Sequence, residues 1–162
     1  MEHNNVQKLA FGGVIAALYV VLTVVANAVG LASGAIQVRI SEALTILPVF
    51  TTAAIPGLTV GCVLANLVTG CLPWDIVFGS LATLLGAIGT RLLRSKPLIA
   101  WIPPVLSNAI IVPIVLQKVY GVPDAWWYLV LTVGAGEIIA CGILGLLLWR
   151  SLKNVPQVRN MK

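Results

Sequence analysis

The sequence predicts an all-α integral membrane protein with six transmembrane helices, and its composition and length carry that prediction. Hydrophobic residues make up 59% of the 162 residues and charged residues only 9%, whereas about 25% of residues are charged in a typical soluble domain. The mean hydropathy is +1.02. A chain of this length holds five or six helices of about 20 residues. Little is left outside the bilayer, which excludes a soluble catalytic domain.

We expect one membrane domain over residues 1–162, with helices at about 9–28, 41–51, 54–70, 74–93, 98–119 and 126–152. The first apolar run is interpreted as a retained helix and not as a signal peptide, because further spans follow it. Ser41 is a candidate N-cap of the short helix 2, and Glu42 lies in its first turn. Pro56 and Gly57 mark a new start, at helix 3.

Prolines distinguish predicted helix 5 from its neighbours. Pro103, Pro104 and Pro113 all fall inside its apolar run. Proline removes a backbone donor, and in a membrane the freed carbonyl needs a partner from protein or from a wet cavity. Helix 5 is therefore expected either to line a cavity or to carry a kink that packing fills.

Basic residues predict the orientation. Six spans place three basic clusters on one side of the membrane, whereas five spans would divide them. By the positive-inside rule both termini are then cytoplasmic, and the net charge of +5 is an orientation signal that needs no nucleic-acid partner. The clusters are Lys8, then Arg91, Arg94 and Lys96, then Arg150, Lys153, Arg159 and Lys162.

Glu137 is the strongest functional signal in the chain. It is the lone charged residue between Trp126 and Trp149, and an acid at that depth costs roughly 2.5 to 3.5 kcal/mol on insertion scales. Our interpretation is a ligand or ion site. The alternative is a helix-packing acid that is hydrogen-bonded to a neighbour such as Asn108.

Asn108 and Glu137 both lie near the predicted midplane, since each is about 15 Å of helix rise from its outer helix end. A cavity floored by an amide and a carboxylate suits a planar heterocycle with several N–H donors, and aromatic rings are available for stacking. The outer ends of the predicted membrane helices supply further candidate substrate-binding residues, although the two tryptophans among them also fit an interfacial aromatic belt. These candidates are Arg39, Glu42, Trp74, Asp75 and Trp127.

The residues provide no catalytic machinery, metal site or cofactor motif. Cys62, Cys71 and Cys141 have no CxxC spacing and no histidine near them, so we interpret them as packing residues. The chain has no phosphate-binding glycine loop and no inverted repeat. If it moves a solute, the energy is expected to come from a partner.

Helix 1 offers two small-xxx-small pairs near its cytoplasmic end, Gly12 with Ala16 and Gly13 with Ala17. Such pairs let helices approach closely, so this part of helix 1 is a candidate partner interface.

Several runs resemble the QueT family of predicted queuosine-precursor transporters. The most specific is Trp-Asp-Ile-Val-Phe-Gly-Ser-Leu-Ala-Thr-Leu at residues 74–84, together with residues 38–48 and 55–62, Asn108 and Gly136–Glu137. The resemblance covers nearly the whole chain. It implies an S component, which is the substrate-binding subunit of an energy-coupling factor (ECF) importer in the cell membrane of a prokaryote.

The resemblance also implies a substrate and partners. The substrate would be a 7-deazaguanine, namely preQ1, preQ0 or queuine, captured outside the cell. The partners would be an ECF transmembrane coupling protein, which meets the small residues of helix 1, and two ECF ATPases. The aminomethyl cation of preQ1 would give a second acid, Glu42 or Asp75, a group to pair with.

Three other function classes are weighed against this one. An intramembrane enzyme would need a nucleophile with a base or a metal cluster, and the sequence offers neither. A homo-oligomeric channel or proton-coupled carrier could use Glu137 as a titrating group. A purely structural membrane subunit would leave Glu137 paired to Asn108 and the outer cavity filled. Within the same architecture, an S component for another vitamin-like heterocycle is a further alternative.

Overall fold

The computed structural model describes residues 2–31 and 37–156, which form six helices and no strand. The all-helical class is thus confirmed for this part of the chain. We number the helices 1 to 6 in chain order. They span Glu2–Ala28, Ile40–Val49, Ala54–Val68, Pro73–Leu92, Pro97–Lys118 and Trp126–Leu152.

Helices 2 to 6 begin and end within two residues of the predicted positions. Helix 1 differs, because it begins at Glu2 and not near Leu9. The polar residues of its first two turns have no apolar periodicity that would signal a helix, yet the backbone continues through them.

Four helices are long and apolar enough to cross a membrane. They are Asn5–Ala28, Pro73–Leu92, Pro97–Lys118 and Trp126–Leu152, with mean hydropathies between 1.3 and 2.5. Large hydrophobic side chains on these helices face outward, as a lipid environment requires. Helices 2 and 3 are shorter apolar helices of 10 and 15 residues. The chain therefore has the structure of a membrane protein with at least these four candidate spans.

Helix 2 is a 3₁₀ helix. A rise of about 2.0 Å per residue extends its ten residues to about 20 Å, against about 15 Å for an α-helix. At its C-terminal end the guanidinium of Arg91 donates to the carbonyls of Pro48 and Val49 at 3.1 and 3.4 Å. The tighter helix lets this short segment run from the level of Arg39 to the basic end of helix 4.

Glycines allow two pairs of helices to approach closely. A methyl group on Gly61 would lie 3.0 Å from the Ala16 Cα atom, and one on Gly57 would lie 2.7 Å from the Gly12 carbonyl oxygen, so helices 1 and 3 are in backbone contact. Gly86 faces Pro104 in the same way. Pro103 and Pro104 lie in the first α-helical turn of helix 5, where a missing donor costs little, and Pro113 alone lies in its interior.

Helix 6 changes its winding directly after Glu137. It is α-helical over Trp126–Glu137, a π-helix over Ile138–Leu144 and α-helical again over Gly145–Leu152. Short π segments within α-helices are frequent at functional sites. This one turns Cys141 toward helix 2 beside Glu137, as the contacts below show.

Candidate binding site

Five buried polar side chains meet between helices 1, 2, 5 and 6, and we call them the polar cluster. Glu42 is 1% exposed, Asn108 2% and Glu137 6%. Tyr19, from the middle of helix 1, donates a short hydrogen bond to Glu42 Oε1. Cys141 completes the cluster. The structure thus brings together three residues that the sequence predicted as substrate-binding: Glu42, Asn108 and Glu137.

Cys141 connects the two acidic residues. Its thiol lies within hydrogen-bonding distance of Glu137 Oε2, at 3.3 Å, and of the Glu42 backbone carbonyl, at 3.5 Å. Thr45 donates to the same sulfur at 3.4 Å. Cys141, interpreted from the sequence as a packing residue, is therefore also a polar neighbour of both carboxyl groups.

Two cluster atoms are buried without a hydrogen-bond partner among the described residues: Glu42 Oε2, an acceptor, and Asn108 Nδ2, a donor. An unpaired buried polar atom costs about 1 to 3 kcal/mol, so each one calls for an explanation. The predicted packing alternative, in which Asn108 bonds Glu137, stays a prediction, because the Asn108 side chain lies within interaction range of both Glu137 and Glu42. A donor and an acceptor without a full hydrogen bond are suited to a polar ligand.

The loop before helix 2 reaches this cluster because Gly136 has no side chain. A methyl group there would overlap the carbonyl oxygen of Gln37. Helix 6 and the entry to helix 2 are consequently in backbone contact one residue before Glu137. A side chain at position 136 would therefore require this backbone contact to open.

A cavity of about 280 Å³, which we call the vestibule, lies next to the cluster. Among the residues that line it are Thr23, Gln37, Arg39, Asn66, Asp75 and Tyr120. Thr23 donates to the hydroxyl of Ser41 at 2.8 Å, and Ser41 adjoins Glu42 in the chain. Thr23 and Ser41 therefore connect the vestibule to the segment of helix 2 that carries Glu42.

Asp75 and Arg39 bring opposite charges to the vestibule. Tyr120 donates to Asp75 Oδ2 at 3.1 Å and accepts from the Leu72 amide at 3.2 Å. Desolvation raises the pKa of the Tyr120 hydroxyl, so it stays protonated as the donor. Arg39 lies close enough to Asp75 and Glu42 for their charges to interact.

The structure does not bring Trp74 and Trp127 to the cluster. Their side chains are 60% and 63% exposed. Trp74 stacks on Phe78, and Trp127 meets Tyr128 edge to face. Both lie on the outer surface of the bundle, where the aromatic-belt interpretation applies to them directly.

The four small residues of helix 1 divide between two faces. Gly12 and Ala16 pack against helix 3, and Ala16 is buried. Gly13 has open space around its Cα, and Ala17 is exposed. Only Gly13 and Ala17 are accessible to a partner protein.

Glu42, Glu137 and Cys141 also form a set that could hold a metal ion, since one ligating atom from each lies within 4.8 Å of the others. Carboxylate and thiolate ligands would suit zinc. The sequence predicts that no metal binds here, and that stays a prediction.

Comparison with known proteins agrees with the resemblance seen in the sequence. The sequence model of a family described as "QueT transporter" matches residues 9–154. A protein of Lactococcus lactis subsp. cremoris (strain MG1363), named "Queuosine precursor transporter QueT", is 36% identical over 85 residues. That alignment covers 52% of this chain and 49% of the relative, so it spans about half of the relative's length. No solved structure matches the chain. The family match extends over most of the chain, through the helices that carry the polar cluster, and the chain therefore belongs to the QueT transporter family.

Proposed function

We propose that this protein is the S component of an ATP-driven ECF importer and captures a queuosine precursor from outside the cell. The observation that carries the proposal is the unpaired donor of Asn108 and the unpaired acceptor of Glu42 beside a second buried acid, Glu137. The L. lactis relative is named as a queuosine precursor transporter, which supports the same substrate class.

The chemistry of the cluster fits a 7-deazaguanine. Such a base presents two adjacent N–H donors and a carbonyl oxygen along one edge. A carboxylate accepts both N–H groups, and an amide N–H₂ group donates to the carbonyl. We assign the N–H pair to Glu137 and the carbonyl to Asn108. A ligand held in this way satisfies the Asn108 donor that is now unpaired.

The vestibule is the proposed route to this site. Its volume of about 280 Å³ is near the lower end of small-molecule sites, which suits a single bicyclic base. Arg39 and Asp75 line it, so they meet the ligand first, whereas Trp74 and Trp127 are placed to anchor the bundle at the interface.

We further propose six membrane crossings with both termini cytoplasmic, in a prokaryotic cell membrane. With six spans, Lys8 before helix 1 lies on the same side as the basic residues that follow helices 4 and 6, whereas a five-span chain would place it on the opposite side. The extended 3₁₀ winding of helix 2 supports this, because it adds about 5 Å to a ten-residue segment.

The test is a titration of purified protein in detergent with preQ1, preQ0, queuine and guanine, followed by the fluorescence of its five tryptophans. Saturable binding of a deazaguanine is expected. Glu137→Gln should weaken it about 100-fold, because removing one partner from a buried charged hydrogen bond costs 2 to 5 kcal/mol.

Asp124→Asn is the matched control, since it removes an exposed carboxylate and should leave the affinity unchanged. If folded protein binds none of the four bases, the S-component assignment for this substrate fails. An S component for another heterocycle, or a proton-coupled carrier that uses Glu137, then becomes the better proposal.

The proposed partners are an ECF coupling protein and two ECF ATPases, which would hydrolyse the ATP. Gly13 and Ala17 form the accessible small-residue patch for the coupling protein. Gly13→Leu should abolish substrate uptake in proteoliposomes that contain the whole complex, yet leave binding by the isolated subunit unchanged, because its side chain enters open space.

Val21→Leu is the control for this variant, because it enlarges another exposed position of helix 1. It should assemble and transport normally. Normal uptake by Gly13→Leu would exclude this patch as the docking surface.

A further inference from the structure

A groove lies on the surface of the bundle between helices 5 and 6, and we call it the basic-end groove. Its volume is about 370 Å³, and it shares no lining residue with the vestibule. Every side chain that lines it is apolar or aromatic except that of Arg150. Among the lining residues are Leu98, Trp101, Ile138, Ile143, Leu147 and Arg150.

The winding of helix 6 brings its part of the groove onto one face. Ile138, Gly142 and Ile143 belong to the π segment, in which bonds from residue i to residue i+5 align residues four and five apart. Leu146 and Arg150 continue the same face at α-helical spacing. The groove is therefore a direct product of the π segment and the α-helix that follows it.

Trp101 forms the opposite wall and is held in place. Its Nε1 atom donates to the Leu98 carbonyl at 2.9 Å. Gly142 faces the ring, since a methyl group there would lie 3.5 Å from the indole. The groove wall on helix 5 is thus a fixed aromatic ring and not a mobile side chain.

The length of the groove corresponds to one leaflet of a bilayer. The segment from Ile138 to Arg150 rises about 18 Å at 1.5 Å per residue, and half of a hydrocarbon core of about 30 Å is about 15 Å. Ile138 directly follows Glu137, which lies near the predicted midplane. An apolar groove that begins near the midplane and ends at a guanidinium suits a molecule with an acyl chain and a charged head group.

The charge at this end of the groove is positive and unneutralised in the described part of the chain. Arg150 and Lys153 are both exposed, and the Lys153 ammonium lies 5.1 Å from the centre of the Trp149 ring, as a cation–π contact. The acidic side chains that the structure describes lie in the polar cluster or at the opposite end of the bundle. The head group that complements this end is therefore an anion.

We propose that the basic-end groove binds an anionic phospholipid, with an acyl chain along the apolar wall and the phosphate beside Arg150 and Lys153. Basic pockets between membrane helices bind anionic head groups in this way. A nucleobase would find too few hydrogen-bond partners here, because Arg150 is the single polar side chain in the lining. The proposal is independent of the solute that the polar cluster captures.

The two tryptophans of the groove report on its occupant. The experiment uses the full-length protein with Trp74, Trp126 and Trp127 replaced by phenylalanine, so that only Trp101 and Trp149 of the five tryptophans remain. It is reconstituted in phosphatidylcholine vesicles that contain increasing fractions of phosphatidylglycerol with brominated acyl chains, or of equally brominated phosphatidylcholine. Bromine quenches tryptophan fluorescence at short range. We expect brominated phosphatidylglycerol to reach half-maximal quenching at a fraction about 5- to 30-fold lower, since each basic residue contributes about fivefold.

Arg150→Gln together with Lys153→Gln should reduce this preference to about twofold or less. The exchange Arg150→Lys with Lys153→Arg keeps both charges and should retain it. Lys8→Gln with Lys118→Gln is the matched control, because it removes two exposed cations that do not line the groove. Circular dichroism checks that each variant keeps its helices.

Several outcomes would overturn the proposal. Equal quenching by the two brominated lipids would mean that the groove does not select an anion. A preference that survives the double glutamine variant, or that is lost equally in the control, would place the anion elsewhere. Quenching by neither lipid would mean that a protein surface, such as a second copy of this chain, covers the groove. Displacement of the lipid by inorganic phosphate, at an ionic strength matched with chloride, would make this an anion site and not a lipid site.

Discussion

The polar cluster and the vestibule both contain buried acidic side chains, yet they differ in how those acids are satisfied. In the vestibule, Asp75 accepts from Tyr120 and lies near the Arg39 charge. In the cluster, Glu42 has an oxygen and Asn108 a nitrogen with no partner in the described part of the chain. The cluster therefore has atoms that can still bond a ligand, whereas the vestibule acid already has its partner. This difference is the basis of our proposal that the cluster recognises the ligand and the vestibule gives access to it.

Among the variants that test this difference between the cluster and the vestibule, a substitution at the close contact of Gly136 has the largest expected effect. Gly136→Ala places a methyl group against the Gln37 carbonyl, so the entry to helix 2 must shift and move Glu42 away from Glu137. We expect deazaguanine affinity to fall about 10- to 100-fold, in line with overpacking costs of about 1 to 3 kcal/mol. Tryptophan fluorescence titration measures the loss.

Gly134→Ala is the matched control on the same helix. A methyl group there meets the Ala109 side chain at 3.8 Å, an ordinary contact. Its affinity should equal that of the unaltered protein. Equal losses in the two variants would mean that helix 6 tolerates no alanine, and the contact at Gly136 would then explain nothing about the site.

The sequence predicted the cluster acids but not the contacts between them. Glu137 and Asn108 stand out because they are polar residues deep in apolar runs, and membrane insertion makes such residues costly. Tyr19 and Cys141 give no comparable signal, since an amphipathic tyrosine and a small cysteine are ordinary in a membrane helix. Their roles arise from contacts between helices that are distant in the chain, Tyr19 with Glu42 and Cys141 with Glu42.

Backbone geometry was the other part that residue patterns could not supply. An apolar ten-residue segment can wind as an α-helix or a 3₁₀ helix, and only tertiary contacts decide between them. No residue pattern predicts the π-helical segment that follows Glu137 either. For Trp74 and Trp127 the residue type was visible but the location was not. Tryptophan suits both a stacking site and a membrane interface, and the residue type alone does not show whether the side chain faces the interior or the outer surface of the bundle.

Asp75 gives the smallest expected effect and the finest distinction between the two regions. Asp75→Asn retains an oxygen that can accept from Tyr120, so the vestibule should keep its shape while it loses a negative charge. A charge on the access route mainly changes the rate of association, and a partly screened one is worth about 0.2 to 1 kcal/mol. We therefore expect preQ1 affinity to fall about 2- to 5-fold, with preQ0 unaffected.

Stopped-flow fluorescence at low and high salt separates the rates. The Asp75→Asn defect should lie in the association rate for preQ1 and should shrink as salt screens the vestibule. Asp124→Asn, which removes an exposed carboxylate near the same end of the bundle, should show neither change. If instead the dissociation rate constant rises tenfold or more while the association rate constant is unchanged, Asp75 holds the bound cation. Recognition would then extend into the vestibule, and the unpaired atoms of the cluster would need another ligand.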